Sequence, residues 1–506
     1  MSETSIPALL SHLGEHAKSI AVIGPGTGQK IYDLPQFTEA EVAQAIGKLR
    51  ASQPTWASLE VHERAQVLLK LHDLIIEHSE QFIDLLAFET GKARIHGFEE
   101  TAGAMNAARH FGKIAAKALR QHRVKSGAPT LTRNYVDYVP FGVVGVITPW
   151  NYPLALSALD VLPALVAGNT VVHKIDNQTA LTALYLRKLA VEAGLPEEVW
   201  TIVVGDGAEV GNAITDSVDF VAFTGSTATG RLVAERAAKR LIGYSLELGG
   251  KNPMIVLPNA NLKRAATLAI AAATGNAGQL CVATERVYVA NSQIQEFLNE
   301  LSAQVNNLAV GKSLLADKDL GTLTSKAQLE RVQTMVNEAV SLGAKLVAGG
   351  QHNDIQGPYA YTPAVLSEIP AEAKLNRGEV FGPVLQVYGY ETLEHAINAA
   401  NDSEYGLNAS VIGPVAEALV VAKQLQAGSV NINEGYRATF ASMDSPMGGF
   451  KQSGSGRRNG NYGLLRFVES RAIGIADGLL KLPLRAKDYQ SMKPLMFALS
   501  KILRRL

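Results

Sequence analysis

The chain has a single cysteine, Cys281, in 506 residues. No internal disulfide can form, which fits a reducing cytoplasm. A lone thiol is either buried filler or a nucleophile. Charge of one sign is also missing, because 47 basic residues meet 47 acidic ones. That balance argues against a nucleic-acid partner, which would call for a basic excess or stripe. No run reaches the roughly 20 apolar residues that a bilayer crossing needs. The opening MSETSIPALLSH has no basic stretch ahead of an apolar core, so no signal peptide is expected. Nor is there a G-x-G-x-x-G with an acid about twenty positions on, so the standard dinucleotide fingerprint is absent. Repeats and low-complexity tracts are lacking too.

What is present describes a globular enzyme-like chain, 47% hydrophobic and 19% charged. Its length allows two or three packed units. Residues 1–36 read as an arm with one short helix and a Gly24-Pro25-Gly26 turn. Thr38 and Glu41 have the spacing of a capping box, opening a helix that runs through Leu49. Further helices are expected around Val67–Ile75 and over Glu99–Leu119. Strands are expected over Leu131–Val139 and Gly142–Thr148. From Thr170 short β-branched runs alternate with helical ones, as at Thr170–Lys174, Thr201–Val204 and Phe220–Phe223. After Pro253 a second alternating series begins with Met254–Leu257 and ends with Ser429–Ile432. Alternation of this kind predicts parallel sheets with crossover helices, an α/β fold built twice.

Two runs carry the clearest chemistry. Cys281 follows Gly278-Gln279-Leu280, a small polar stretch that predicts a bend presenting the sulfur to a cavity. Glu247 stands between Leu246 and Leu248 and ahead of Gly249-Gly250, so its carboxylate ends an apolar element. Burial there raises a carboxyl toward neutrality and makes it a candidate general base. Pro149 and Pro153 fix the backbone around Trp150, Asn151 and Tyr152, as if to aim one amide. A side-chain amide beside a thiol is what a tetrahedral oxyanion requires. Thr224-Gly225-Ser226-Thr227 follows a strand and opens a helix, a setting that suits a pyrophosphate. Glu379-Val380-Phe381-Gly382-Pro383 sets an acid and an aromatic before a rigid turn.

These runs, in this order and with a 34-residue interval from Glu247 to Cys281, resemble the aldehyde dehydrogenase superfamily. The resemblance spans about Thr38 to Arg471. It implies that Cys281 is the nucleophile, that Asn151 and the Cys281 backbone N–H hold the oxyanion, and that Glu247 activates water. It further implies NADP or NAD as cofactor, with Trp150, Lys174, Asn177, Gly205, Gly225, Ser226, Glu379 and Phe381 as its contacts. Tyr152 and Arg437 would meet the substrate, a small-molecule aldehyde. The implied layout is a cofactor domain (1–122 and 142–251), a catalytic domain (252–470) and a β oligomerisation extension (123–141 and 471–490). A homodimer or homotetramer is implied by that extension.

The runs around Lys174, Gly205, Gly225 and Ser445–Gly454 look like a bacterial succinate-semialdehyde dehydrogenase subgroup. Three positions depart from the pattern. Thr274 replaces a frequent Phe, Asn177 stands where many NAD-selective members carry Glu, and Leu159 and Gly275 stand where better-known relatives place arginines. Asn177 removes a carboxylate that would repel a 2′-phosphate, so NADP is slightly favoured over NAD. Residues 491–506 form a basic amphipathic helix. Its pattern suits a membrane surface, or docking on this body or a sister subunit, and the docking reading is favoured.

Overall fold

The computed structural model describes residues 5–127, 132–312, 317–477 and 483–504. They form two compact units, one of Met1–Ala118 with Pro140–Phe467 and one of Leu119–Val139 with Val468–Leu506. The larger unit contains two open sheets. The first has the strand order Gly454–Ser455, Gly243–Glu247, Phe220–Thr224, Val143–Ile147, Thr170–Lys174, Trp200–Val203. Its neighbours are parallel except at the Gly454–Ser455 edge. Val143, Val172, Val203, Val221 and Leu246 pack one face against Val42, Ile46 and Leu49 of the helix Glu39–Ser58. The second sheet runs Lys345–Ala348, Ala364–Ser367, Val384–Tyr390, Thr284–Ala290, Asn252–Val256, Asn408–Ile412, Ser429–Ile432. Only its Lys345–Ala348 edge is antiparallel.

The doubly built parallel α/β fold is therefore as the alternation implies. Thr38 does cap its helix, with Glu41 accepting the Thr38 N–H at 2.7 Å. That helix continues nine residues past Leu49, through Pro54, because Leu49 and Trp56 are buried on the same face. Two expectations need correction. The N-terminal arm holds an antiparallel hairpin, Lys18–Ile23 with Lys30–Gln36, whose turn is the glycine-rich stretch. Its exposed strand lacks the buried alternation that would have marked it. The basic amphipathic helix starts at Ala486, not in the 490s, because Asp488 accepts the Arg485 N–H and closes its first turn.

The smaller unit has a three-stranded sheet, Val468–Ile475, Arg133–Pro140, His122–Val124. Leu131, where the Arg133–Pro140 strand was expected to start, lies outside the described residues, as do 478–482 and 505–506. No helix among the described residues is long and apolar enough to cross a membrane.

Candidate active site

In the first sheet the chain goes from Val143–Ile147 to Thr170–Lys174 and Trp200–Val203, then returns to pair Phe220–Thr224 on the other flank. Parallel sheets open a crevice at such a reversal, outside the carboxyl ends of the strands. Trp150 and Asn151 follow one of these strands, Gly225 and Ser226 follow the other, and Glu247 ends the next. The loops of the second sheet close the far side. Cys281, Glu379 and Phe381 share with those residues one cleft of about 670 Å³.

The Cys281 loop is held in an unusual backbone. After the helix Leu262–Thr274, Asn276 and Ala277 take left-handed φ values of 50° and 55°, and Gly278 comes next at 70°. Such non-glycine residues cost of order 1–3 kcal/mol each and persist only where their surroundings fix them. Asn276 donates to the Asn151 carbonyl at 2.9 Å, and Gln279 donates back to the Asn276 carbonyl at 3.0 Å. A Cβ on Gly278 would lie 2.2 Å from the Gly382 carbonyl, so only glycine lets the two loops touch. Asn252 donates to the Cys281 carbonyl at 2.8 Å. Cys281 is thus presented on a bend, packed beside Tyr152, Leu156, Leu280 and Tyr436.

Asn151 is buried, and its amide donates to the Gln279 carbonyl at 2.9 Å, using one of its two protons. Its own carbonyl accepts from Lys92 at 2.7 Å as well as from Asn276. Lys92 is ion-paired to Glu100, and neither side chain is exposed. Glu100 in turn accepts the Leu154 and Ala155 N–H groups, orphan donors in the first turn of Pro153–Val166. The pair thereby ties the start of that helix to Asn151, two residues before it.

Burial sets the electrostatics. Both Glu247 oxygens are buried without a hydrogen-bond partner. Desolvation pushes this carboxyl up to about 7, against the opposing pull of Arg458 and Arg466. The Cys281 thiol is pushed up to about 12 by burial and by the charges of Glu247 and Glu379. At neutral pH the sulfur is therefore protonated, and the Glu247 carboxyl is divided between its acid and carboxylate forms. Glu379 is likewise raised to about 7 by burial and by Glu285, while a 2.8 Å bond from the Gly250 N–H works the other way. Behind Glu247, buried Asp160 is ion-paired to both Arg458 and Arg466. Arg458 also donates to Thr224, whose residue pairs with Glu247 across adjacent strands.

On the cofactor side, Ser226 caps the helix Thr227–Lys239 and accepts the Thr229 N–H at 3.2 Å. The Trp150 and Phe381 rings meet edge-on, 5.7 Å between centroids. Phe381 has a left-handed φ of 58°. Lys174, Asn177 and Gly205 lie at neighbouring strand ends and do not line the cleft. Lys174 is buried and donates to the Ile175 carbonyl at 3.2 Å. Asn177 accepts the Gly205 N–H at 2.9 Å and donates to Gln36 at 3.4 Å. His173 points elsewhere, bonded to Thr148 at 2.8 Å and held neutral by burial, which depresses it to about 3. Arg437 also stands apart from the cleft lining, engaged by Glu99 and Glu434. Tyr152 is buried with its hydroxyl unpartnered, under the Lys92 ammonium 4.1 Å from its ring.

Lys92, Glu100, Asp160, Arg458 and Arg466 escaped the sequence reading. Asp160 had a usable signal, one acid inside PLALSALDVLPALV, where every residue is buried. A lone acid in such a run demands a buried cation.

The aldehyde dehydrogenase family model matches residues 12–473. This chain belongs to the aldehyde dehydrogenase family. Among curated relatives, a Mycobacterium tuberculosis protein named "Putative succinate-semialdehyde dehydrogenase", with the qualifier NADP(+), is 44% identical over 451 residues, 89% of this chain and 87% of that protein. Among solved structures, betaine aldehyde dehydrogenase of Staphylococcus aureus with NAD+ is 30% identical, with TM-score 0.89 over 96% of this chain and 99% of that one. An aldehyde dehydrogenase C variant of Pseudomonas syringae with NAD+ and octanal is 34% identical, with TM-score 0.86 over 92% and 95%. The dinucleotide of this family fits the residues present. The cleft joins a helix start carrying Gly225 and Ser226 to an aromatic pair and to Cys281. Among the described residues no cluster of His, Cys, Asp or Glu could hold a metal ion.

Proposed function

We propose that the enzyme oxidises an aldehyde to its acid through a thioester on Cys281, using NADP+ or NAD+. The observation that carries this reading is a buried carboxylate with no partner, Glu247, in one cleft with the only thiol of the chain. Cys281 passes its proton to Glu247 and its sulfur attacks the carbonyl carbon. The second Asn151 amide proton and the Cys281 N–H hold the oxyanion. The bound nicotinamide, at Trp150, Glu379 and Phe381, supplies the hydride acceptor, with Gly225 and Ser226 at the pyrophosphate. Glu247 releases that proton to solvent, then takes one from water, whose oxygen attacks the thioester carbon and expels the Cys281 sulfur; the proton passes to the sulfur as the acid leaves. Lys174 and Asn177, with Gly205, would contact the adenosine ribose.

Succinate semialdehyde is the substrate reading that the relatives' names favour, and their NADP(+) qualifier agrees with Asn177 in place of an acid. One observation favours a second reading, an uncharged aliphatic aldehyde. The surroundings of Cys281 are apolar, and Arg437, the cation assigned to a substrate carboxylate, is engaged by Glu99 and Glu434. We assign the enzyme to the cytoplasm, as a homodimer or homotetramer joined through the smaller unit's sheet, whose Val468–Ile475 strand is largely exposed. The division into cofactor domain, catalytic domain and extension, with the boundaries that the family resemblance implies, belongs to the same proposal.

The test is to incubate the protein with succinate semialdehyde or with hexanal to decanal, and either oxidised cofactor, while following reduced cofactor. A kcat/KM for succinate semialdehyde above that for every alkanal supports the first reading, and the reverse order supports the second. No reduction with any aldehyde rejects the dehydrogenase.

A further inference from the structure

The family model stops at residue 473, and the C-terminal stretch beyond it has a charge unlike the rest. Residues 479–506 carry seven Lys or Arg and one Asp, which leaves the remainder of this neutral chain at net −6. Within this stretch Ala486–Leu503 is one helix. At 3.6 residues per turn, Tyr489, Met492, Leu495, Met496, Leu499 and Ile502 fall within an arc of about 140°. Tyr489, Leu495, Met496 and Ile502 are exposed, and Met492 and Leu499 are only half-buried. Lys487, Lys493, Lys501 and Arg504 take the other side. Phe497, the one large apolar side chain among them, has the Lys493 ammonium 5.9 Å from its ring.

We propose that this helix docks on the surface of an anionic phospholipid membrane, lying in the plane of the headgroups. The sequence favoured docking on this body or a sister subunit, and the apolar arc stands exposed. Charge decides between the candidate occupants. A second copy of the helix would bring the same basic side chains against themselves. Anionic headgroups neutralise them while the acyl layer takes Leu495, Leu499 and Ile502. The helix is too polar to cross the bilayer and has the composition of one that lies on it. This proposal does not depend on which aldehyde is oxidised.

The experiment is flotation of the full-length protein with phosphatidylcholine vesicles, with and without about one quarter phosphatidylglycerol. Binding is expected to the anionic vesicles only, and to fall at least about tenfold when salt is raised or in the double variant Lys493→Glu/Lys501→Glu. Leu495→Gln/Leu499→Gln should also release the protein. Both variants should keep dehydrogenase activity and the subunit number measured by light scattering, which shows that they fold. Absence of binding by the active full chain overturns the proposal. So does equal binding to both vesicle types without salt dependence. A changed subunit number in the apolar variant, without vesicle binding by the wild type, would make the helix a contact between copies.

Discussion

Glu100 and Glu247 are both buried carboxylates in the same unit, and their surroundings are opposite. Glu100 meets an ammonium and two backbone N–H groups. Glu247 meets none within hydrogen-bond range and has its cations, Arg458 and Arg466, committed to Asp160. A satisfied buried charge stabilises and positions what surrounds it. An unsatisfied one destabilises the fold and is available to exchange protons. In the proposed mechanism the first kind aims Asn151 and the second kind moves protons between Cys281, water and product.

The sharpest way to break this contrast is to remove the proton carrier. Glu247→Gln should lower steady-state turnover by about 10²–10⁴-fold. A burst of about one reduced cofactor per site should survive if the loss lies in hydrolysis. A slower burst is also expected, because Glu247 takes the thiol proton, and a burst of unchanged rate would confine Glu247 to hydrolysis. Cys281→Ser should remove both phases, and full activity after alkylation of the thiol would reject the nucleophile. Stability should move the other way. Native Glu247 keeps its proton to about 7, whereas the unfolded chain releases it near 4.5. The wild type therefore loses stability as pH rises across that window, up to on the order of 3 kcal/mol. Glu247→Gln avoids that loss, so its Tm relative to the wild type should climb from pH 4.5 to 7.

Lys92→Met tests the satisfied carboxylate. It strands Glu100 and should cost about 3–5 kcal/mol, read by denaturant unfolding. The double variant Lys92→Met/Glu100→Leu should recover much of that stability while kcat stays low, because the Asn151 carbonyl still lacks its ammonium. Full recovery of kcat would show that the pair does not aim Asn151.

The two carboxylates differed equally in legibility. Glu247 was readable because strand geometry is local, and Leu246, Leu248 and the two glycines announce a buried strand end. Cys281 and Asn151 were readable from prolines and glycines that restrict backbone. Glu100 was not, because Lys92 stands in the loop just before its own helix, off any helical spacing, and its other partners lie at the distant start of Pro153–Val166. A Glu among the polar residues of Arg94–Ala118 looks like any solvated acid. The left-handed turn at Asn276 and Ala277 was equally silent, since tertiary bonds to Asn151 and Gln279 hold it. The hairpin at Lys18–Gln36 escaped because its strands show no clean alternation.

Arg458 offers a graded test. Its charge pulls Glu247 toward ionisation from within a triad with Asp160. Arg458→Gln leaves Asp160 with Arg466 alone and takes away that pull. The ascending limb of the deacylation-limited rate against pH should move to higher pH. A purely structural role would lower the whole profile without moving its midpoint.

The smallest effect is expected at Asn177, where the contrast between engaged and idle groups applies to the cofactor. Its carbonyl already accepts the Gly205 N–H, so the side chain is fixed in place. Asn177→Glu would leave that N–H a carboxylate acceptor, so the new charge would be a satisfied one and the fold should tolerate it. The difference would fall on the ligand. A carboxylate can accept hydrogen bonds from ribose hydroxyls but repels a 2′-phosphate. Two such charges about 4 Å apart at an effective dielectric near 20 interact by roughly 4 kcal/mol before screening. Lys174 nearby, although bonded to the Ile175 carbonyl, would offset part of that. The ratio of kcat/KM for NADP+ to that for NAD+ should therefore fall by about tenfold, chiefly through a higher KM for NADP+, and more at low ionic strength. An unchanged ratio would show that position 177 does not face the ribose.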